Sequence, residues 1–112
     1  MRTYRPGAAA LAASFLVLGL GASGQASAQD RNLGRNLAAQ CANCHGTNGV
    51  SQGVIPSLAG RPRDELVRIM GEFKSGARSG NQSTIMGQLA KGYTDEQIAL
   101  IADYLSRQKA AQ

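Results

Sequence analysis

Downstream of residue 31, apolar positions recur at helical spacing in three separate stretches. Leu33, Leu37 and Cys41 fall at i, i+4 and i+8, which predicts a helix over residues 32–41 with that face buried. Gly34 lies inside it at a cost of about 1 kcal/mol relative to alanine. A glycine retained there implies that another backbone or helix comes very close. The second stretch places Leu66, Ile69, Met70 and Phe73 at i, i+3, i+4 and i+7. Its helix is expected to open around Pro62, which suits a first turn, with Asp64 and Glu65 at the positive end of the dipole. It is expected to fail near Gly76. The third stretch opens at Thr94, which forms a capping-box pattern with Gln97. Ile98, Ile101 and Leu105 then share a face to about residue 108, with Leu100 and Tyr104 beside it.

The intervening segments GTNGVSQGVIPSLAGRP and ARSGNQST are rich in Gly, Ser and Pro or simply polar, and read as loops. The short piece IMGQLAKGY is read as irregular. No stretch alternates as a strand does, and no internal repeat or second domain is visible. The expected fold is all-α.

The N-terminal thirty residues follow a different pattern. Arg2 and Arg5 precede an uncharged apolar run over residues 8–20, and Ala26-Ser27-Ala28 forms an A-x-A site before a polar stretch. That order describes a cleavable secretory signal peptide over residues 1–28. The rival, a retained membrane anchor, is weakened by the Gly, Ser and Gln that fill the end of the uncharged stretch. One domain, residues 29–112, would remain, and the mature chain would contain no membrane span. A chain of that size forms a marginal core by itself and commonly recruits a disulfide, metal or cofactor. The whole chain has 12 basic and 7 acidic residues, net +5. Removal of Arg2 and Arg5 leaves ten basic residues and a net charge of +3. The remaining cations are scattered and do not alternate with aromatics, which argues against nucleic acid and for a modest field toward an acidic protein partner.

Both cysteines and the only histidine lie in Cys41-Ala-Asn-Cys44-His45. A dithiol redox pair uses the same C-x-x-C spacing but sits in a βαβ unit, which is missing. Structural zinc needs four ligands and the cluster offers three. A disulfide across so short a loop removes little chain entropy. C-x-x-C-H is also the pattern of covalent haem attachment. There each thiol forms a thioether to one porphyrin vinyl group, and the histidine that follows lies under the ring with a nitrogen toward iron. One covalent haem c is therefore the expected cofactor, held by Cys41 and Cys44, with His45 as an axial ligand.

A second axial ligand has to come from elsewhere, and methionine is the usual soft choice. Met86, expected in a loop beside Gly87, is preferred. Met70 falls on an apolar helical stripe and reads better as core filler. Lys91 is a remote third option, and if none binds, the iron would be five-coordinate and open to small ligands. Pro56, in a rigid turn, is expected to offer its carbonyl to the second nitrogen of His45. The glycines at 46, 49 and 53 make no phosphate cradle, because no strand precedes them and no Lys-Ser/Thr follows.

At this point the chain resembles class I c-type cytochromes, through GRNLAAQCANCHG (34–46), IPSLAG (55–60), the Met86 segment and IADYLSRQ (101–108). The resemblance implies that the first and last helices cross, with Gly34 and Leu37 packed against Tyr104. Ala38 stands where many relatives carry an aromatic, which implies a thinner crossing. Two stretches, residues 41–60 and 71–98, are similar to the cytochrome subunits of flavocytochrome c sulfide dehydrogenases. That similarity implies a periplasmic electron carrier, not itself an enzyme, that accepts electrons from a flavoprotein subunit oxidising sulfide. The alternatives are a free mono-haem shuttle of the c4 or c5 type and, further off, a haem-based ligand sensor.

Overall fold

The computed structural model describes residues 32–80 and 83–110, so the expected signal segment, 1–28, lies outside the described residues. Helix α1 covers 32–38 and runs through a 3₁₀ turn, Ala39–Cys41, into the single turn α2, Ala42–His45. A second 3₁₀ turn, Thr47–Gly49, begins a long irregular segment. Helices α3 (Arg63–Ser75), α4 (Thr84–Lys91) and α5 (Asp95–Ser106) follow. No strand occurs among the described residues.

The ends of α3 and α5 follow directly from local chemistry. Pro62 is the residue before α3 rather than its first turn; its extended ψ of 133° leaves its carbonyl free to accept from Leu66 N–H at 3.1 Å. Gly76 ends the helix in the left-handed region at φ 82°, which an L side chain rarely adopts, and its N–H donates to Phe73 O at 3.2 Å. Thr94 Oγ1 accepts from Gln97 N–H at 3.2 Å and Gln97 Oε1 accepts from Thr94 N–H at 2.9 Å, the full reciprocal cap. Helix α5 stops at Ser106, slightly short of the expected 108. There the Tyr104 carbonyl accepts from Arg107 N–H at 3.3 Å and from the Gln108 side chain at 2.8 Å.

The core lies where α1, α3 and α5 meet: Ala38, Leu66, Ile101, Ala102 and Leu105 are buried together, with Leu37, Cys41, Leu58, Val67, Tyr93 and Tyr104 packed around them. A Cβ on Gly34 would lie 2.7 Å from the Leu100 carbonyl oxygen and 3.5 Å from Tyr104 Cβ, so α1 rests directly on the α5 backbone. That contact explains the glycine. It also corrects the expected face of α1. The buried side is Gly34 and Ala38, while Leu33 is 43% exposed and Leu37 half-buried. Close approach selects the small residues for the interface and turns the leucines to its flank. On α3, Leu66 alone is buried; Ile69, Met70 and Phe73 are half-buried.

The stretch expected to be irregular contains α4. Ile85 and Leu89 share a helical face at i, i+4, and α4 packs on α3. The packed side of α4 is Ala90, which is buried, with Met86 and Gly87 half-buried, whereas Ile85 and Leu89 are exposed.

Candidate functional site

Helix α1 delivers Cys41 to the core at its C-terminal end, and the extra turn α2 then presents Cys44 and His45. The two cysteines are not joined in a disulfide; Cys41 is half-buried and Cys44 exposed. Burial pushes the Cys41 thiol above its ordinary range, partly offset by a backbone hydrogen bond, with the neighbouring Cys44 a still smaller upward influence. The two sulfurs thus face different surroundings one helical turn apart. Among the described residues no three His, Cys, Asp or Glu side chains converge on one point, which disfavours a structural zinc centre.

His45 is the one buried polar side chain among the described residues, 8% exposed. Its Nδ1 lies 2.7 Å from Pro56 O. A carbonyl can only accept, so Nδ1 carries the proton and donates, leaving the Nε2 lone pair free as a ligand. The chain after His45 has to turn sharply to make this contact. Gly46, at φ 81°, is the turning point: a Cβ there would fall 1.9 Å from Val50 O. Asn48 follows in the left-handed region at φ 55°, and its Oδ1 accepts from Tyr104 O–H at 2.6 Å, which ties the turn to α5. Gly49 is buried under Leu58, Ala59 and Leu105.

Met86 occupies the first turn of α4, half-buried, rather than the loop expected for it. Met70 lies inside α3, and Lys91 is exposed in the last turn of α4. Cys41, Cys44, His45 and Pro56 thus form one continuous cluster, while Met86 belongs to the separate α3–α4 pair. Several contacts around the cluster have weak sequence signals. The Asn48–Tyr104 bond joins residues 56 apart and has none. The α4 stripe could have been found from Ile85, Leu89 and the Ser83-Thr84 start.

The residues present fit a haem. Two cysteines not paired in a disulfide sit one turn apart, and a buried imidazole has Nδ1 held by Pro56 O. Beside Cys44 opens a groove of about 380 Å³ of mixed character, lined by Val54 and Ile55 but also by Asn43 and Gln52, with no charged side chain; His45 is not part of its wall.

Residues 32–109 match the cytochrome c family. The chain is a class I c-type cytochrome. It is a haem-c electron-transfer protein, a carrier rather than a catalyst. Among individual relatives, it is 48% identical over 71 residues to the cytochrome subunit of sulfide dehydrogenase of Chlorobaculum tepidum, a match covering 63% of this chain and 62% of that one. It is 34% identical to cytochrome c-553 of Nitratidesulfovibrio vulgaris, over 66% of this chain and 74% of the relative. Against cytochrome c-554(548) of Halomonas halodenitrificans the identity is 35%, over 73% of this chain and the whole of the relative. The aligned stretch therefore spans less than two thirds of the sulfide dehydrogenase subunit. No helix among the described residues is long and apolar enough to cross a membrane.

Proposed function

We propose that this cytochrome is a periplasmic electron carrier, exported by a signal segment at 1–28. In this reading its haem iron is held between His45 and Met86, and it is the electron-accepting subunit of a flavoprotein sulfide dehydrogenase. The bound haem supplies the Fe(III)/Fe(II) couple. The polypeptide supplies everything else. Cys41 and Cys44 anchor the ring through thioethers, each thiol adding its S–H across a vinyl double bond. His45 offers Nε2 because Pro56 O retains the proton on Nδ1. Met86, a soft thioether donor at the start of α4, would be the second protein ligand and would raise the potential relative to a nitrogen ligand.

The observation that carries the ligation is the 2.7 Å hydrogen bond from buried His45 to Pro56. A histidine so oriented has one remaining lone pair, with no polar protein partner for it among the described residues. The subunit assignment draws support from the 48% identity to a sulfide dehydrogenase cytochrome subunit. A free shuttle is the second reading, favoured by the full-length match to the small cytochrome c-554(548).

Size-exclusion chromatography of the protein from its native periplasm, following haem and flavin absorbance together, separates the two. Co-elution of haem with flavin at a mass well above one small domain, with haem reduction on adding sulfide, is the expected result. Haem eluting alone at monomer size contradicts the subunit assignment and leaves the shuttle.

A further inference from the structure

The Pro56 carbonyl meets His45 from an irregular segment in which Val54, Ile55 and Pro56 are all exposed. Contacts elsewhere have to hold it in place. The base of this loop is closed after Pro56: Leu58 N–H and Ala59 N–H both donate to Gly49 O, at 2.8 and 3.1 Å, and Gly60 N–H donates to Leu105 O at 3.0 Å. Those bonds fix the base but not the plane of the Pro56–Ser57 peptide, which bears the carbonyl. The pyrrolidine ring locks φ of Pro56, so the remaining freedom is rotation about its ψ. One side-chain hydrogen bond spans the loop at that plane: Ser51 N–H donates to Ser57 Oγ at 2.9 Å.

We propose that Ser57 is a positioning residue for His45. Its hydroxyl, held by Ser51 N–H, pins the far side of the Pro56–Ser57 peptide and so aims the Pro56 oxygen at Nδ1. Through that oxygen it sets the tautomer and ring orientation of the histidine. Ser51 contributes its backbone; its own hydroxyl is turned to Gly53 N–H at 3.2 Å and is not part of the clamp. The consequence for iron rests on the His45 ligation proposed above. A well-aimed carbonyl makes the imidazole a stronger donor and favours Fe(III).

The test uses the haem-loaded, reduced protein. Solvent exchange of the His45 Nδ1 proton is followed by NMR, and the reduction potential is measured in parallel. Ser57→Ala is expected to speed exchange by up to roughly tenfold, as for loss of one ordinary hydrogen bond, and to raise the potential. Ser57→Thr keeps the hydroxyl and is expected to track wild type, as is Ser51→Ala, which leaves the clamp intact. If Ser57→Ala fails to load, Ser57→Cys, with its weak acceptor, gives the same shift in graded form. Unchanged exchange in the Ala or Cys variant overturns the proposal, and so does a Ser57→Thr protein shifted as far as Ser57→Ala. Faster exchange with an unmoved potential upholds the clamp and removes His45 from the iron.

Discussion

Single side chains decide how the haem-binding turn is held. Tyr104 O–H donates to Asn48 Oδ1 at 2.6 Å, joining α5 to the turn that follows His45. Tyr104→Phe removes one exposed hydrogen bond and leaves the ring's packing. It should cost about 1 kcal/mol in denaturant unfolding, with Asn48, a strained residue at φ 55°, becoming mobile. Tyr93 packs on the core, and burial, with Cys41 as a smaller contributor, lifts its phenol above the ordinary value of 10.0. An acid whose folded-state value is raised contributes stability that is complete below its unfolded value and lost as pH rises through the folded one. The melting temperature should therefore fall as pH rises above about 10, and Tyr93→Phe should flatten that fall. The chemistry of this scale was largely legible. Cys41, Cys44 and His45 stand out by type and spacing alone, and a rigid Pro56 carbonyl was a natural partner for the second imidazole nitrogen. Ser57 and Asn48 were not, because a small polar residue in a loop carries no signal until the fold shows what it faces.

The helices themselves follow from their sequence more closely at their ends than on their faces. Thr94, Gln97 and Gly76 marked α5 and α3 correctly because caps are local chemistry. The buried face of α1 departs from the apolar periodicity at Leu33, which is exposed, because close approach to α5 puts Gly34 and Ala38 at the contact while Leu37 and Cys41 pack beside it. Helix α4 was missed because eight residues with an internal glycine give a weak pattern, and tertiary packing on α3 supplies what propensity does not. Gly34→Ala sets a methyl against the Leu100 carbonyl oxygen. It should destabilise the holoprotein by about 1–3 kcal/mol in thermal or denaturant unfolding, more than any effect on helix propensity could offset. At the C-terminal end of α3, Glu72 accepts from Arg68 and from Arg78 Nε at 3.1 Å, and Arg78 also lies over Phe73, 5.5 Å from the ring centre. Hydrogen bonds from Arg68 and then Arg78 hold the Glu72 carboxyl below its usual range. Its contribution is present above the unfolded value of about 4.3 and lost as pH falls through the folded one. Glu72→Gln should lose the part of the acid-induced destabilisation that belongs to this end of α3, measured as melting temperature between pH 6 and 3.

At the scale of the molecule, eight apolar residues are buried among those described, and four of them are alanine. No large side chain among them is fully buried. A domain of this size with so small a core depends on its bound group for stability, by ordinary linkage between binding and folding. The polypeptide expressed without haem attachment, for instance as Cys41→Ala/Cys44→Ala, should show a non-cooperative or strongly lowered thermal transition by circular dichroism. The composition hinted at this, through length alone, but the division of labour between core and cofactor is visible only once the packing is known. The same scale sets the function: a closed, six-coordinate iron carries electrons and excludes ligands, whereas an open one binds them. Carbon monoxide titration of the reduced protein at neutral pH tests this most directly. The wild type should remain unliganded, Met86→Ala should bind carbon monoxide readily, and Met70→Ala should stay closed while losing stability. Carbon monoxide binding to the wild type, or a Met86→Ala spectrum identical to it, would contradict an iron held between His45 and Met86.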